Sequence, residues 1–472
     1  MPSSQPHPSS VGAFPAPLGA FGRAMEYMVD AAQRSVLFWD VMRRRGNQYR
    51  EHLAETTPNV LDYEVELVLD GRTLDRPVNY GLVKVVPPPG VELDPTRRPF
   101  VIVDPRAGHG PGIGGFKADS EIGVAFKAGH TCYFIGFLPD PVPGQIIEDI
   151  ARAEAVFLEK VIALHPEADG RPCVIGNCQA GWAVMMLAAI RPELFGPIII
   201  AGSPLSYWAG VHGKNPMRYS GGLLGGSWLT ALTGDLGHGK FDGAWLVQNF
   251  ENQNPANTLW TKQYNLYSKI DTEAPRYLGF ERWWGGGHVN LNAEEMQFIV
   301  DELFVGNNLA AGRIQTSDGT AVDLRNIRPP IVVFCSKGDN ITPPQQALGW
   351  ILDLYENVDE IRSYGQLVAV HLHRDRVGDR HGLPRVRRCA QPVHAHGRRH
   401  RGRLRPLHSP PRADGEGEEV IGNEALQRHC QPCPEVRSSP RKRGPSFSWI
   451  AAFAGMGEAT GYAILGTRIR VA

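Results

Sequence analysis

The amino-acid sequence predicts an α/β protein on three observations: short strands that are apolar throughout, helices between them, and glycine-rich turns where strands end. Apolar runs without alternation are expected where helices cover both faces of a parallel sheet. The predicted strands span residues 99–103, 131–137, 173–176, 197–201 and 331–335, and the predicted helices between them span residues 145–164 and 182–190. The sequence therefore predicts a mostly parallel sheet.

Composition excludes several classes of protein. The chain has 472 residues, of which 42% are hydrophobic, so it can bury a large core. Its 49 Lys and Arg residues balance 49 Asp and Glu residues, which gives no net charge to hold nucleic acid or an anionic membrane. Seven cysteines are too few for a disulfide framework. Without a signal-like start or a run of eighteen apolar residues, we expect a cytoplasmic protein with no transmembrane segment.

The N-terminal quarter divides into three parts. Residues 1–20 are rich in Pro and Ser and are predicted to be disordered. Apolar residues recur at helical spacing over residues 21–52, which predicts an amphipathic helix. Its apolar face either packs on the main domain, which we favour, or contacts a lipid or polymer surface. Alternation up to Asp70-Gly71 predicts a strand and tight turn, so residues 21–95 form a helix and a β-hairpin extension.

The main domain is predicted to span residues 96–366 and to carry a cap. Between the fourth and fifth strands, residues 203–290 are rich in Trp, Tyr, Gly and Asn. An insertion of this size at the carboxyl edge of a parallel sheet is typical of a cap over a substrate site.

The C-terminal segment, residues 367–472, has an anomalous composition. No Phe, Trp or Tyr occurs between Gly365 and Ser446, whereas arginine and histidine are abundant. Such a segment buries too little apolar surface to fold, so we predict a disordered tail. It is either a basic tail that binds polyanions or the product of a reading-frame shift. The abrupt change in composition favours the frame shift.

The most informative motif is Gly176-Asn177-Cys178-Gln179-Ala180-Gly181, which lies between a predicted strand and a predicted helix. A nucleophile on such a turn needs small neighbours, and the helix N-terminus would lower the pKa of the Cys178 thiol. The backbone N–H of Gln179 would stabilise an oxyanion, and the upstream loop with His109 and Gly110 would supply a second donor. Alternatively, Cys178 is a small buried apolar residue.

Asp339 follows the fifth strand, where the acid of a catalytic triad is expected after the nucleophile in chain order. Alternatively, it caps the helix that starts near Pro343. The histidine of such a triad should come next, but the residues available lie in the anomalous tail, and His381 is the best of them. The histidines that follow Asp339 most closely are His371, His373 and His381, whereas those before it, assigned to the pocket or cap, are His109, His212, His238 and His288.

Two further patterns are weaker. The glycine-rich loop at residues 108–115 resembles a phosphate-binding loop, but no acidic residue follows at the position that a dinucleotide site requires. Cys430 and Cys433 beside His429 have the spacing of half a zinc site, which chance explains in a His-rich segment. We therefore predict no cofactor and no metal.

From about residue 21 to residue 366, the chain resembles a bacterial family of unknown function that is related to polyhydroxyalkanoate synthases. The resemblance is carried by Asp104-Pro105-Arg106-Ala107-Gly108-His109-Gly110, residues 176–182, residues 283–292 and Asp339-Asn340-Ile341-Thr342-Pro343. It implies an α/β-hydrolase fold in which Cys178 is the nucleophile and Asp339 is the acid. Ala180 replaces one usual glycine of the motif.

The resemblance further implies an acyltransferase that forms a cysteine acyl-enzyme from 3-hydroxyacyl-coenzyme A. The implied partners are acyl-coenzyme A or an ester, with a polyester granule as a further surface. The family continues with a strand and a Gly-His-Leu-Gly loop, which this chain replaces after Gln366. Loss of the catalytic histidine would leave this chain inactive. The alternatives are a thioesterase or esterase of the same fold, or a non-catalytic protein associated with granules.

Overall fold

A computed structural model describes residues 16–55, 58–210, 227–285, 287–339 and 341–373. Within these ranges, the strands are β1 (Val65–Asp70), β2 (Tyr80–Val85), β3 (Phe100–Val103), β4 (Cys132–Phe137), β5 (Cys173–Asn177), β6 (Ile198–Ala201), β7 (Lys240–Asp242), β8 (Asn290–Asn292), β9 (Ile331–Ser336) and β10 (Val368–His373). The α-helices are α1 (Ala16–Ala54), α2 (Glu121–Lys127), α3 (Ile147–Leu164), α4 (Gln179–Ile190), α5 (Trp228–Leu236), α6 (Ala244–Asn252), α7 (Lys262–Ser268), α8 (Ile270–Trp284), α9 (Ala293–Phe298), α10 (Pro344–Leu354) and α11 (Val358–Ser363).

Eight strands form one sheet in the order β1-β2-β4-β3-β5-β6-β9-β10. Strand β2 runs antiparallel to β1 and β4, and the other pairs are parallel. This order, with the crossover that places β4 before β3, is that of the α/β-hydrolase fold. The predicted fold class is confirmed, and the predicted main strands agree with the observed ones to within one residue at each end.

Both faces of the sheet are covered, as the apolar strands predict. In β3, Val101 and Val103 pack on the face covered by α3 and α4, whereas Phe100 and Ile102 pack on the face covered by α2. Successive side chains of a strand point to opposite faces, so a strand that is buried on both sides must be apolar at every position.

The N-terminal part differs from the prediction in two respects. Helix α1 begins at Ala16, within the segment predicted to be disordered. The hairpin is not a separate extension, because β2 pairs with β4 from Tyr80↔Phe137 to Lys84↔Tyr133 and so joins the main sheet. Strand β1, at the edge, has a bulge between Leu67 and Leu69.

Helix α1 packs on the cap rather than on the sheet. Val41 is buried against Leu266 of α7 and Tyr277 and Leu278 of α8, with Phe38 beside it. Tyr267 donates a hydrogen bond of 2.9 Å to the carbonyl oxygen of Ala31. The prediction that the apolar face packs on the main domain is wrong for the residues that defined that face, because Met25, Met28, Val29, Val36 and Trp39 are exposed. A different face, with Phe38, Val41 and Met42, packs on the cap.

The cap follows β6 and contains α5 to α9 and the two-stranded sheet of β7 and β8. Residues 211–226 of the predicted cap lie outside the described residues. The segment between β6 and β9 extends beyond the predicted end near residue 290, since α9 and a π-helical stretch at Ile299–Val305 come before β9.

The predicted boundary of the tail after Gln366 is too early. Strand β10 pairs in parallel with β9, from Val368↔Ile331 to His373↔Ser336. Val368 and Ala369 are buried, so this short apolar stretch completes the sheet despite its lack of aromatic residues. Residues 374–472, the rest of the predicted tail, lie outside the described residues.

None of the helices in the described ranges has both the length and the apolar character that crossing a bilayer requires.

Candidate active site

Cys178 lies on a strained turn between β5 and α4. Its backbone has φ 49° and ψ −121°, a conformation that is costly for a residue with a side chain and is concentrated at functional sites. The turn is close-packed, because a Cβ at Gly176 would approach the carbonyl oxygen of Ala180 to 2.9 Å. A Cβ at Gly181 would lie 1.9 Å from the Ser203 hydroxyl oxygen. The glycines at positions 176 and 181 therefore permit the tight turn that carries Cys178.

The protonation of Cys178 differs from the prediction. The half-buried thiol has its pKa raised from 9.0 to about 12, chiefly by desolvation, and the Asp339 and Asp104 carboxylates raise it further. The backbone N–H of Gln179, the first residue of α4, lowers this pKa but does not offset the burial. The prediction of a thiolate is therefore wrong for this structure, because desolvation raises the pKa of Cys178 by more than the helix N-terminus lowers it.

Asp339 lies three residues beyond β9 and is mostly buried. Its Oδ1 accepts hydrogen bonds of 2.9 Å from the backbone N–H groups of Ile341 and Thr342. Burial raises the pKa of this carboxyl to about 6, although both hydrogen bonds lower it. The second oxygen, Oδ2, accepts no hydrogen bond from the described residues. Asp339 is thus a local turn former whose carboxyl group is desolvated.

Cys178 and Asp339 face the same pocket at the carboxyl edge of the sheet. The residues that line it come from the loop after β3, the turns after β5, β6 and β9, and the cap. They are Ala107, His109, Cys178, Gly202, Phe250, Trp284, Asp339, Ile341 and Thr342. Three of the five predicted site residues therefore meet in one pocket, whereas Gln179, the first residue of α4, is not among the lining residues.

His109 forms part of the pocket wall as a neutral imidazole. Its Nδ1 lies 2.9 Å from the carbonyl oxygen of Gly110, so Nδ1 carries the proton and Nε2 keeps its lone pair. The ring packs on Trp283 at 4.7 Å and near Trp284 at 6.0 Å between centroids. Burial lowers the pKa of His109 to about 4, which keeps the ring uncharged at neutral pH.

The loop that carries His109 is fixed on both sides. Asp104 Oδ2 accepts hydrogen bonds from the backbone N–H groups of Gly112 (2.6 Å) and Ile113 (2.8 Å). The carbonyl oxygen of Gly108 accepts one from Val289 N–H (3.1 Å). Gly110, predicted to face the pocket, is not among its lining residues and packs against the His52 ring of α1.

A buried ion pair joins this loop to the cap. Arg106 Nη1 lies 2.5 Å from Glu295 Oε1, and the two side chains are 5% and 0% exposed. Arg106 also donates to the carbonyl oxygen of Asn290 at 2.8 Å, and Glu295 accepts from the backbone N–H of Asn292 at 2.6 Å. The Asp104–Gly110 motif therefore shapes the site through its buried charges as well as its glycines.

The histidines that follow Asp339 do not complete a triad among the described residues. The His371 ring stacks on Phe334 at 5.3 Å, and the carbonyl oxygen of His373 accepts a hydrogen bond from Lys337 N–H at 3.0 Å. Neither lines the pocket, and His381 lies outside the described residues. Strand β10 ends at His373, which pairs with Ser336, three residues before Asp339.

The remaining predicted histidines and metal patterns have other positions. His288 forms a β-bridge with His109, His238 is exposed in the cap, and His212 is outside the described residues. Cys430, Cys433 and His429 are outside them as well. Within the described part of the chain, no group of three or more His, Cys, Asp or Glu side chains is arranged to hold a metal ion.

Sequence reasoning missed the aromatic wall of Phe250 and Trp284 and the role of Asp104. The aromatic-rich insertion was a signal that the cap supplies such a wall, but the sequence does not tell which of its aromatic residues turn inward.

The chain matches a family model described as a protein of unknown function, DUF3141, over residues 30–381. It is 77% identical over 368 residues to an uncharacterized protein in the ackA 5′ region of Rhizobium meliloti, which covers 78% of this chain and 50% of the relative. The chain thus spans about half the length of the curated relative it matches.

Solved structures of hydrolases resemble the chain weakly. A naproxen esterase from Bacillus subtilis is 14% identical, covers 71% of this chain and 91% of its own, and has a TM-score of 0.34. A 2-hydroxy-6-oxo-6-phenylhexa-2,4-dienoate hydrolase from Rhodococcus sp. strain RHA1 is 14% identical, covers 66% and 92%, and has a TM-score of 0.31. The fold assignment rests on the strand order, not on these scores.

Proposed function

Because the chain belongs to the DUF3141 family, whose function is unknown, we propose from its geometry that the α/β-hydrolase-type domain performs cysteine-dependent acyl transfer. One observation carries the proposal: Cys178 lies on a strained strand-to-helix turn and lines the same pocket as Asp339. Strain of this kind is maintained where it presents a reacting group. The substrate class is an acyl thioester, with 3-hydroxyacyl-coenzyme A as the form that the resemblance to polyhydroxyalkanoate synthases implies.

In the first step, the sulfur of Cys178 attacks the carbonyl carbon of the thioester. A new carbon–sulfur bond forms, the bond to the sulfur of coenzyme A breaks, and the proton lost by Cys178 ends on the departing thiol. The backbone N–H of Gln179 and an N–H of the loop at residues 108–110 would stabilise the oxyanion. In a synthase-type second step, the hydroxyl oxygen of another hydroxyacyl unit attacks the acyl carbon, the bond to the Cys178 sulfur breaks, and the hydroxyl proton ends on that sulfur.

This chemistry needs a base that the described residues do not supply. His109 is a poor base, because burial lowers its pKa to about 4 and its Nδ1 bonds to the Gly110 carbonyl oxygen instead of a carboxylate that would stabilise the imidazolium. The base would come from residues that follow β10 in the chain, since β10 ends opposite Ser336, three residues before Asp339. The Oδ2 atom of Asp339 would orient that base. There the chain departs from the family pattern, so we expect this chain to turn over far more slowly than its relatives.

The test compares this chain with the Rhizobium meliloti relative in release of coenzyme A from 3-hydroxybutyryl-coenzyme A. We expect the relative to release thiol and its variant with Ala at the cysteine aligned with Cys178 to release none. This chain should be slower than the relative by about 10²- to 10⁴-fold, the usual contribution of a general base. Equal release by the relative and its alanine variant would contradict the proposal.

The product then separates two outcomes of the same acyl-enzyme. Polymer supports transfer to a hydroxyl, as in a synthase. Free hydroxy acid supports transfer to water, as in a thioesterase.

A further inference from the structure

We propose that Trp284 is a specificity-determining residue that restricts the pocket to short, uncharged acyl groups. The inference rests on the proposed function, since it assigns the substrate group that reaches Cys178. It concerns the cap side of the pocket, where residues 283–292 include a motif with no role in the chemistry described above.

The lining of the pocket suits an acyl chain rather than a charged group. Phe250 and Trp284 contribute aromatic rings from the cap, and Ile341 and Ala107 contribute aliphatic surface from the sheet side. Among the described residues that line it, none is Lys or Arg. The phosphates of a coenzyme A carrier would therefore stay outside, and the group enclosed near Cys178 would be the acyl group.

The Trp284 ring is held in place by specific contacts. Its indole N–H donates a hydrogen bond of 2.7 Å to Glu251 Oε1. The ring lies 5.3 Å from that of the fully buried Trp283 and 5.8 Å from that of Phe250, measured between centroids. Swinging the indole out to admit a longer chain would break the hydrogen bond and separate these rings.

The hydrogen-bond acceptor is itself fixed by charged neighbours. Lys262 Nζ lies 3.5 Å from Glu251 Oε1 and 3.0 Å from Glu281 Oε1. Arg45 of α1 lies 2.8 Å from the other oxygen of Glu281, which is 2% exposed. A chain of ionic contacts therefore extends from α1 to Glu251, which accepts the hydrogen bond of the Trp284 indole. Because its acceptor is held in this way, Trp284 forms a rigid wall of the pocket.

The experiment measures how alkyl length affects modification of Cys178 and does not need turnover. The full chain reacts with N-ethyl, N-butyl and N-octylmaleimide, and peptide mass spectrometry follows the Cys178 adduct separately from the other thiols. Each rate constant is divided by that for free cysteine. We expect the parent to react at least about tenfold faster with the ethyl than with the octyl reagent, because a closed pocket discriminates by about this factor or more.

Two substitutions on the cap provide the comparison. Trp284→Ala should bring the ethyl and octyl rates to within about threefold by opening the wall. Trp260→Ala, at an exposed residue of the same cap that does not line the pocket, should leave the parental ratio unchanged. If Trp284→Ala does not fold, Trp284→Leu tests the same wall and should reduce the ratio at least threefold.

In the maleimide experiment, two results would overturn the assignment: equal rates for all reagents in the parent, or a parental ratio retained in both Trp284 variants. These outcomes are distinct from failure of the proposed function. If maleimide modification of Cys178 depends steeply on alkyl length but the relative releases no thiol from acyl-coenzyme A, the proposed acyl transfer is rejected and the role of Trp284 is retained. Release that is equally fast for 3-hydroxybutyryl and 3-hydroxydodecanoyl thioesters in the relative would reject the wall alone.

Discussion

The two sides of the pocket are held by different kinds of interaction. On the sheet side, Cys178 and Asp339 follow β5 and β9, whose parallel backbone hydrogen bonds and tight turns fix the positions of both residues. On the cap side, Trp284 is positioned by side chains that come from separate helices. Most of the large apolar side chains that remain exposed in the described chain also lie on α1 or the cap.

This difference indicates which side of the pocket can accept substitutions without loss of the fold. Backbone pairing tolerates many side chains but fixes geometry, which holds Cys178 and Asp339 in defined positions. Side-chain networks can be altered by one substitution without disturbing the sheet, which suits the adjustment of specificity. We therefore expect substitutions on the sheet side to alter folding or chemistry, and those in the cap to alter preference.

The largest effect should come from the ion pair that joins the two sides. Glu295→Ala leaves Arg106 buried without its partner, which should lower the free energy of unfolding by about 3–5 kcal/mol in urea denaturation followed by tryptophan fluorescence. Asp359→Ala, which removes a partner of an exposed pair with Arg362, serves as the control and should change it by less than about 0.5 kcal/mol. Equal effects of the two substitutions would mean that the cap and sheet are not joined by this pair.

A second substitution tests the sheet side through pH. The pKa of Asp339 is about 6 in the folded state, above the ordinary value of 3.8, so its burial costs stability that grows as pH rises from about 4 to 6. Asp339→Asn keeps the oxygen that accepts from Ile341 and Thr342 and removes the charge. It should gain about 2–3 kcal/mol at pH 7 and nothing at pH 3.5.

The control for this substitution is Asp318→Asn, an exposed carboxyl whose pKa is lowered to about 2 by Thr316 and Thr320, and which should not gain stability at pH 7. A gain for Asp339→Asn that is the same at both pH values would show that the cost of Asp339 is not its charge.

The next largest effect on stability is expected from a substitution in the turn at Cys178. A methyl group at residue 181 would overlap the Ser203 hydroxyl, so Gly181→Ala should lower the free energy of unfolding by about 1–3 kcal/mol. Adding Ser203→Gly removes the overlapping atoms and should recover at least half of the loss. The same double-mutant cycle, measured in urea, should therefore show coupling between the two sites. Purely additive losses would mean that the tight turn does not depend on this contact.

The sequence predicted the sheet side far better than the cap side, and the comparison explains why. Cys178 and Asp339 lie in contiguous motifs at strand ends, and local spacing is enough to place both at the carboxyl edge of the sheet. The pair of Trp284 and Glu251 is separated by 33 residues and depends on how the cap helices pack. The pKa of Cys178 was mispredicted for the same reason, because the helix N-terminus is visible in the sequence and burial is not.

The boundary after Gln366 was misjudged by a related mechanism. Composition averaged over residues 367–472 conceals the six residues of β10, whose burial depends on pairing with β9, over thirty residues earlier in the chain. Local apolar character therefore predicted the interior strands, but not a final strand that is followed by an atypical segment.

The smallest effect is expected from a substitution that tests whether the ionic contact of α1 stabilises the cap side of the pocket. Arg45→Met removes one of the two cations that contact Glu281, and Lys262 still pairs with that buried carboxylate. We expect a loss of about 0.5–1.5 kcal/mol in urea denaturation, the net worth of one hydrogen-bonded contact, and a modest fall in the ethyl-to-octyl maleimide ratio at Cys178. Arg43→Met, which loses only the exposed contact with Asp40 on the same helix, should change neither quantity. If the two variants behave alike, the ionic chain ends at Glu281, and α1 supports the cap only through the apolar contacts of Val41 and its neighbours.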